Sequence, residues 1–127
     1  MCEKCHTRIV RVLVVDDSTP VRARVVALLR ERGLEVVAEA ATTAAALQLA
    51  ADLSPDAIVL DLQLLDGSGL DLLPALKARE PSPVVAVLTN FAQAAYRSRC
   101  LALGADCFFD KSSEFESVGD ALVARAR

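Results

Sequence analysis

Two hydrophobic periods take turns along the chain. Ile9–Val15 is a nearly continuous run of apolar, β-branched residues, the pattern of a strand buried on both faces. Val21, Val25, Leu28 and Leu29 then recur at i, i+4, i+7 and i+8, the stripe of a helix with one buried face. Thr19 followed by Pro20 predicts an N-cap with proline at the first helical position, and Gly33 predicts the stop. The same alternation continues. Leu34–Ala40 reads as a second strand and Thr43–Leu53 as an alanine-rich helix. Ala57–Leu60 is a third strand, and Leu70–Arg79 a helix carrying Leu73 and Leu76. Pro81 and Pro83 separate that helix from a fourth strand, Val84–Leu88. Ala92–Leu103 is a helix stopped by Gly104, Cys107–Phe109 a short fifth strand, and Glu114–Ala126 a last helix buried through Phe115, Val118 and Leu122.

Five strand–helix pairs with short connections imply one α/β domain, a five-stranded parallel sheet doubly wound with helices on both faces. The 127 residues can bury a core of ordinary size, and 54% apolar with 24% charged residues marks a globular chain rather than a disordered one. A net charge of −3 offers no basic footprint, so direct nucleic-acid binding is not expected. No apolar run approaches the roughly 20 residues that span a bilayer. With Met1 so close to the first strand there is no room for a signal peptide, so a cytoplasmic protein without membrane contact is the expectation.

Chemistry concentrates where strands end. Asp16 and Asp17 follow the first strand, Asp61 the third, Thr89 the fourth, and Lys111 comes just after the fifth. In an open parallel sheet these positions meet at one edge, where such folds bind ligands. Three carboxylates repel one another there unless a multivalent cation or other positive group joins them. Singly, each residue has an ordinary explanation. The aspartates could start a helix, Thr89 could merely end a strand, and Lys111 could be a solvated surface charge. Only the set indicates a metal-assisted phosphate site.

In their order and spacing, Val12-Leu13-Val14-Val15-Asp16-Asp17-Ser18, the stretch 58–69 through Asp61 and Gly67, Val87-Leu88-Thr89-Asn90, and Gly104 through Ser112 closely resemble the receiver domain of two-component response regulators. The resemblance covers residues 9–127 and implies a flavodoxin-like sheet with strand order 2-1-3-4-5, preceded by a flexible tail over residues 1–8. It implies that Asp61 accepts a phosphoryl group from a kinase phosphohistidine. Mg²⁺ would be held by Asp17, Asp61 and the backbone carbonyl of Gln63, with Asp16 acting nearby through water. Thr89 would bond the phosphoryl oxygens, Lys111 would pair with them, and Phe108 would be the aromatic switch residue, turning inward as Thr89 is drawn toward the phosphate. The implied partners are a histidine kinase or phosphotransfer protein upstream and a protein of unstated identity downstream, since no effector segment follows. A monomer is expected, with the fourth helix, fifth strand and fifth helix as the face for a weak dimer. Beyond its own phosphorylation and dephosphorylation no enzyme activity is implied.

The chain departs from the family at several places. Ser112 stands where proline usually follows the lysine, which argues against a cis bond there. Leu65 replaces a frequent proline. Gln63 and Phe91 occupy positions that tune dephosphorylation, and their bulk suggests a long-lived phosphoryl group. Asp66 reads as a turn residue ahead of Gly67. Cys2-Glu3-Lys4-Cys5-His6 spells a haem-attachment pattern or three zinc ligands, but haem attachment needs export and zinc wants a fourth ligand, so an oxidisable tail is the plainer reading. Cys100 and Cys107 sit among apolar neighbours and read as core residues. Two other functions stay open: an aspartyl-phosphate hydrolase of phosphatase type, although such enzymes favour Asp-x-Asp over adjacent acids, and a degenerate receiver that binds partners without phosphate.

Overall fold

A computed structural model describes residues 9–91 and 93–126. Cys2, Cys5 and His6 lie outside the described residues. Strands β1 (Arg11–Val15), β2 (Glu35–Ala40), β3 (Ala57–Leu60), β6 (Val84–Thr89) and β7 (Cys107–Asp110) form one sheet in the order β2-β1-β3-β6-β7. Every pairing in it is parallel, with one register irregularity between Val12 and Leu13. Helices α1 (Thr19–Glu31), α2 (Thr43–Leu53), α3 (Gly69–Lys77), α4 (Ala94–Ala102) and α5 (Ser117–Ala126) alternate with the strands. The sequence did not reveal a small antiparallel hairpin, β4 (Gln63–Leu64) with β5 (Gly67–Ser68), in the loop after Asp61. With that hairpin set aside, the order is the 2-1-3-4-5 implied by the resemblance.

The period of two in the strands explains the layering. Leu13, Val15, Ile58, Leu60, Val85 and Val87 face one side, where they meet Ala46 and Ala50 of α2, Leu72, Leu73 and Leu76 of α3, and Cys100 of α4. Val12, Val14, Val59, Ala86 and Leu88 face the other, against Val25 and Leu29 of α1 and Val118 and Leu122 of α5. The central strands β1, β3 and β6 are therefore almost wholly apolar, because neighbouring residues along each belong to two different cores, whereas edge strand β2 carries the exposed Glu35 and Glu39.

Several boundaries shift, each for a local reason. Ser18 rather than Thr19 caps α1: its backbone is extended and its hydroxyl accepts from the Val21 N–H at 3.3 Å, which puts Pro20 one position further in. Gly33 ends that helix with φ of +80°, a left-handed backbone that glycine adopts without strain. The last helix begins at Ser117 rather than at Glu114, because Asp110 ties up the preceding residues. Its carboxylate accepts from the Ser112 N–H and hydroxyl, and its own N–H donates to the Glu114 carboxylate. Phe115 is still buried, but from the connecting turn. The Lys111–Ser112 bond is trans, as expected without proline; the cis bond among the described residues is Glu80–Pro81. At the opposite end of the sheet, Lys77 Nζ donates to Asp106 at 2.7 Å and to the Pro83 carbonyl at 2.6 Å, joining α3 to the starts of β6 and β7.

Candidate functional site

The parallel register carries the acids to one edge. Val15 pairs with Leu60 and Leu60 with Val87, so the residues that follow β1 and β3 leave the sheet side by side. The Asp61 N–H donates to the Val15 carbonyl and the Asp16 N–H to the Ala40 carbonyl, extending the ladder one step beyond the strands. Thr89 ends β6, opposite Asp110, and the Lys111 N–H donates to the Thr89 carbonyl at 3.0 Å. Five residues, Asp16, Asp17, Asp61, Thr89 and Lys111, thus reach one spot from four places in the sequence.

There the side chains interlock. Lys111 Nζ lies 2.6 Å from Asp16 Oδ2 and 3.0 Å from Asp61 Oδ2. Asp16 Oδ1 accepts from the Ser18 N–H at 2.8 Å, and Asp61 Oδ1 accepts from the Leu62 N–H at 2.7 Å. Among the described residues, Asp16, Asp61 and Thr89 are the buried polar ones, at 3%, 4% and 0% exposure. The Thr89 hydroxyl accepts from the Phe91 N–H at 3.1 Å, which leaves its own O–H as a donor toward Asp61. Asp17 is half-buried, and its carboxylate forms no hydrogen bond or ion pair with the described residues.

Charge explains the tuning of the site. Carboxylate oxygens of Asp16, Asp17 and Asp61 come within 4.8 Å of one another. Like charges that close repel by roughly 3 to 4 kcal/mol per pair at the effective dielectric of a protein edge. One lysine against three acids leaves an excess of two negative charges. Burial pushes the Asp61 carboxyl above its ordinary range; hydrogen bonding and attraction from Lys111 oppose this, Asp16 reinforces it, and the Thr89 hydroxyl opposes it. Burial by itself lowers the Lys111 pKa, but its bonds to Asp16 and Asp61 outweigh that and raise it. The donors are all oxygens and one carboxylate has no partner among the described residues, a set that suits a hard divalent cation such as Mg²⁺.

Gln63 is exposed at the start of the hairpin. With Leu62, Gly67, Ser68, Leu70, Phe91 and Tyr96 it lines a cleft of about 230 Å³ beside the site. The rings of Phe91 and Tyr96 sit 5.8 Å apart. Phe108, in β7, is 5% exposed and packs in the core below α4, with the Arg97 guanidinium 5.3 Å over its ring. Its ring is thus part of the core in this structure. Cys100 is buried and Cys107 half-buried; burial raises both thiol pKa values, as befits core residues.

Two features escaped the sequence reading. Asp66 is more than a turn residue: its carboxylate accepts from the Thr43 N–H at 2.6 Å, the Thr43 hydroxyl at 2.8 Å and the Ala44 N–H at 3.3 Å. The Thr43 N–H bond, foremost, holds the Asp66 carboxyl below the usual range. Gly69 is the other: a Cβ there would lie 2.2 Å from the Asp61 carbonyl oxygen. A glycine-rich turn after Asp61 was visible, but not which glycine touches the backbone.

Comparison with known proteins agrees with this geometry. Residues 12–123 match the model of the response regulator receiver domain. The chain belongs to that family. It is 39% identical over 116 residues to a protein-glutamate methylesterase/protein-glutamine glutaminase of Anaeromyxobacter dehalogenans, covering 89% of this chain and 33% of that protein. It is 30% identical over 114 residues to the photosynthetic apparatus regulatory protein RegA of Rhodobacter capsulatus, covering 89% and 61%. Among solved structures, the signal receiver domain of the response regulator NarL from Mycobacterium tuberculosis superposes with a TM-score of 0.85 at 30% identity, covering 94% of this chain and 97% of that one. This receiver spans about a third to a half of the length of the first curated relatives it matches. As a response regulator receiver it is a component of two-component signalling. Among the described residues, no helix is long and apolar enough to cross a membrane.

Proposed function

We propose that residues 9–127 form one receiver domain that accepts a phosphoryl group on Asp61 from a phosphohistidine of a histidine kinase or phosphotransfer protein. An Asp61 oxygen attacks phosphorus, the phosphorus–nitrogen bond breaks, and the released histidine nitrogen takes up a proton. The observation that carries this reading is Lys111 bridging Asp16 and Asp61 at 2.6 and 3.0 Å beside Asp17, which has no partner among the described residues. Phosphoryl transfer requires mainly alignment and charge neutralisation, and these residues supply both. Asp17, Asp61 and the Gln63 carbonyl would hold Mg²⁺, with Asp16 acting through water; the ion would neutralise the excess negative charge that otherwise repels a phosphoryl dianion. Lys111 and the Thr89 hydroxyl would engage the phosphoryl oxygens.

Output follows from Thr89. Drawing its hydroxyl toward the phosphoryl group disturbs the Phe91 N–H bond, and Phe91 contacts Tyr96 at the start of α4. The neighbouring Arg97 covers Phe108, so the switch reaches the surface of α4 and β7, where a downstream protein would bind. No nucleic-acid contact is needed for this, and a cytoplasmic monomer suffices. The test is phosphorylation by acetyl phosphate or a cognate kinase with Mg²⁺. An acid-labile adduct mapped to Asp61 and lost in Asp61→Asn supports the reading. An adduct on Asp16 or Asp17 would favour the phosphatase-type alternative, and no adduct with any donor the degenerate receiver.

A further inference from the structure

The loop that follows Asp61 is tethered at both ends, and its far tether involves no proposed site residue. At the near end, the Gly69 N–H donates to the Leu62 carbonyl at 2.8 Å, so residues 62–69 close on themselves. Between them the pairs Gln63–Ser68 and Leu64–Gly67 make a stiff four-residue ribbon. At the far end, Asp66 gathers three hydrogen bonds from the first turn of α2, and the Leu65 N–H adds a fourth tie to the Ala41 carbonyl at 3.2 Å. Gly67 lies against this tether: a Cβ there would sit in ordinary contact with the Thr43 methyl at 3.4 Å. Leu65 is 70% exposed and contributes little burial, so polar bonds hold the tip in place.

We propose that Asp66 is a positioning residue: by fixing the ribbon tip to Thr43 it sets where the Gln63 carbonyl stands relative to the three aspartates, and so controls divalent-cation affinity without touching the ion. The proposal rests on the metal-binding reading above. A carboxylate with three donors at the tip of a ribbon is a stronger anchor than the turn itself requires. Without it, the ribbon can pivot about the Leu62–Gly69 closure, and a ligand carbonyl misplaced by a fraction of an ångström weakens an octahedral site.

The test measures Mg²⁺ and Mn²⁺ dissociation constants of the unphosphorylated chain by calorimetry and electron paramagnetic resonance. Hydrogen exchange of residues 62–69 is followed alongside. Asp66→Ala should weaken binding about fivefold to tenfold, the scale of losing charge-assisted bonds at an exposed site, and should speed exchange of the loop. Asp66→Asn, which keeps one acceptor, should fall between. Thr43→Val keeps the Asp66 charge but removes the hydroxyl donor. If it also weakens binding, and the double variant is no worse than Asp66→Ala, the effect is the clamp; if only Asp66 variants matter, it is charge alone and the proposal is wrong. Unchanged affinity in Asp66→Ala, with binding lost in Asp61→Ala, overturns the clamp and leaves the metal reading intact. No ion binding to the unaltered chain overturns both.

Discussion

Replacing Gly69 by alanine tests the tightest contact at the site. The added Cβ would meet the Asp61 carbonyl oxygen at 2.2 Å and the Asp61 carbonyl carbon and Leu62 Cα at 3.1 Å, and none of these can rotate aside because all are backbone. Restoring ordinary contact at 3.4 Å requires the start of α3 and the 61–62 peptide to separate by about 1.2 Å. That movement stretches the 2.8 Å bond from the Gly69 N–H to the Leu62 carbonyl. Forcing atoms into a filled space costs about 1 to 3 kcal/mol, and the stretched bond roughly 1 more. Alanine recovers about 1 kcal/mol through helix propensity, which leaves a net loss of roughly 2 kcal/mol. Because the displaced peptide carries the proposed phosphoacceptor, phosphorylation should slow on the order of a hundredfold, the usual consequence of a 1 Å misplacement. Gly67→Ala is the matched control, since its Cβ meets only the Thr43 side chain at 3.4 Å or beyond. Its stability should stay within about 0.5 kcal/mol of the original. Urea unfolding followed by circular dichroism gives the first quantity, and acid-labile phosphate after acetyl phosphate treatment the second. If Gly69→Ala matched Gly67→Ala in both, the close approach would be no constraint and the reasoning would fail.

Lys111→Met removes the cation shared by Asp16 and Asp61 and leaves two buried carboxylates uncompensated. Without divalent cation at neutral pH it should lose about 3 kcal/mol in urea unfolding, with part of that returning when Mg²⁺ is added; an unchanged midpoint contradicts the bridge. The Asp61 carboxyl titrates above its ordinary value, so the folded state holds that proton more tightly than the unfolded chain. Stability without metal should therefore fall as pH rises from the ordinary carboxylate value through the raised one, while Mg²⁺ binds more tightly across the same window; Asp61→Asn should flatten the stability trend. Lys111 acts at the other end of the scale. Its raised pKa keeps its contribution whole below 10.5 and loses it as pH climbs through the folded value, which alkaline unfolding would show. Gln63 and Phe91 line one cleft beside the site, where their bulk should keep attacking water out, so the phosphoryl group should be long-lived and Phe91→Ala should shorten its lifetime several-fold by phosphate-release assay.

The strand and helix order was legible because β-branched runs and apolar stripes carry different periods, and because the central strands β1, β3 and β6 are buried on both faces. Asp16, Asp17, Asp61, Thr89 and Lys111 were legible for a related reason: in a parallel sheet, position after a strand is position in space. What stayed hidden depends on distances that periodicity does not encode. The hairpin at 63–68 has only two residues per strand, too few to show alternation. Asp66 and Gly67 look like any turn pair until Thr43 is seen beside them. Phe108 was visible as an aromatic of the fifth strand, but the guanidinium of Arg97 lying 5.3 Å over its ring comes from α4 and had drawn no notice. The cap of α1 shifted by one residue because Asp16 accepts from the Ser18 N–H and thereby selects Ser18 over Thr19.

The three acids are alike in chemistry but differ in what already occupies them, and this divides their labour. Asp16 has one oxygen on Ser18 and the other on Lys111, and its carbonyl accepts from Arg22 at 2.7 Å. It is held from three sides and serves as a fixed post. Asp61 has one oxygen on Leu62 and the other on Lys111, but the lysine is further from it than from Asp16. Asp17 holds nothing among the described residues and is the carboxylate most open to a cation. On the proposed reading, phosphorylation requires Asp61 to give up its share of Lys111, because the oxygen that takes phosphorus loses its charge in the acyl phosphate. Lys111 need not travel: anchored on Asp16, it can turn its second bond from the carboxylate to a phosphoryl oxygen. The shorter bond therefore belongs to the residue that does not react, and Asp16→Asn should slow phosphorylation by loosening the lysine even though Asp16 never bonds phosphorus.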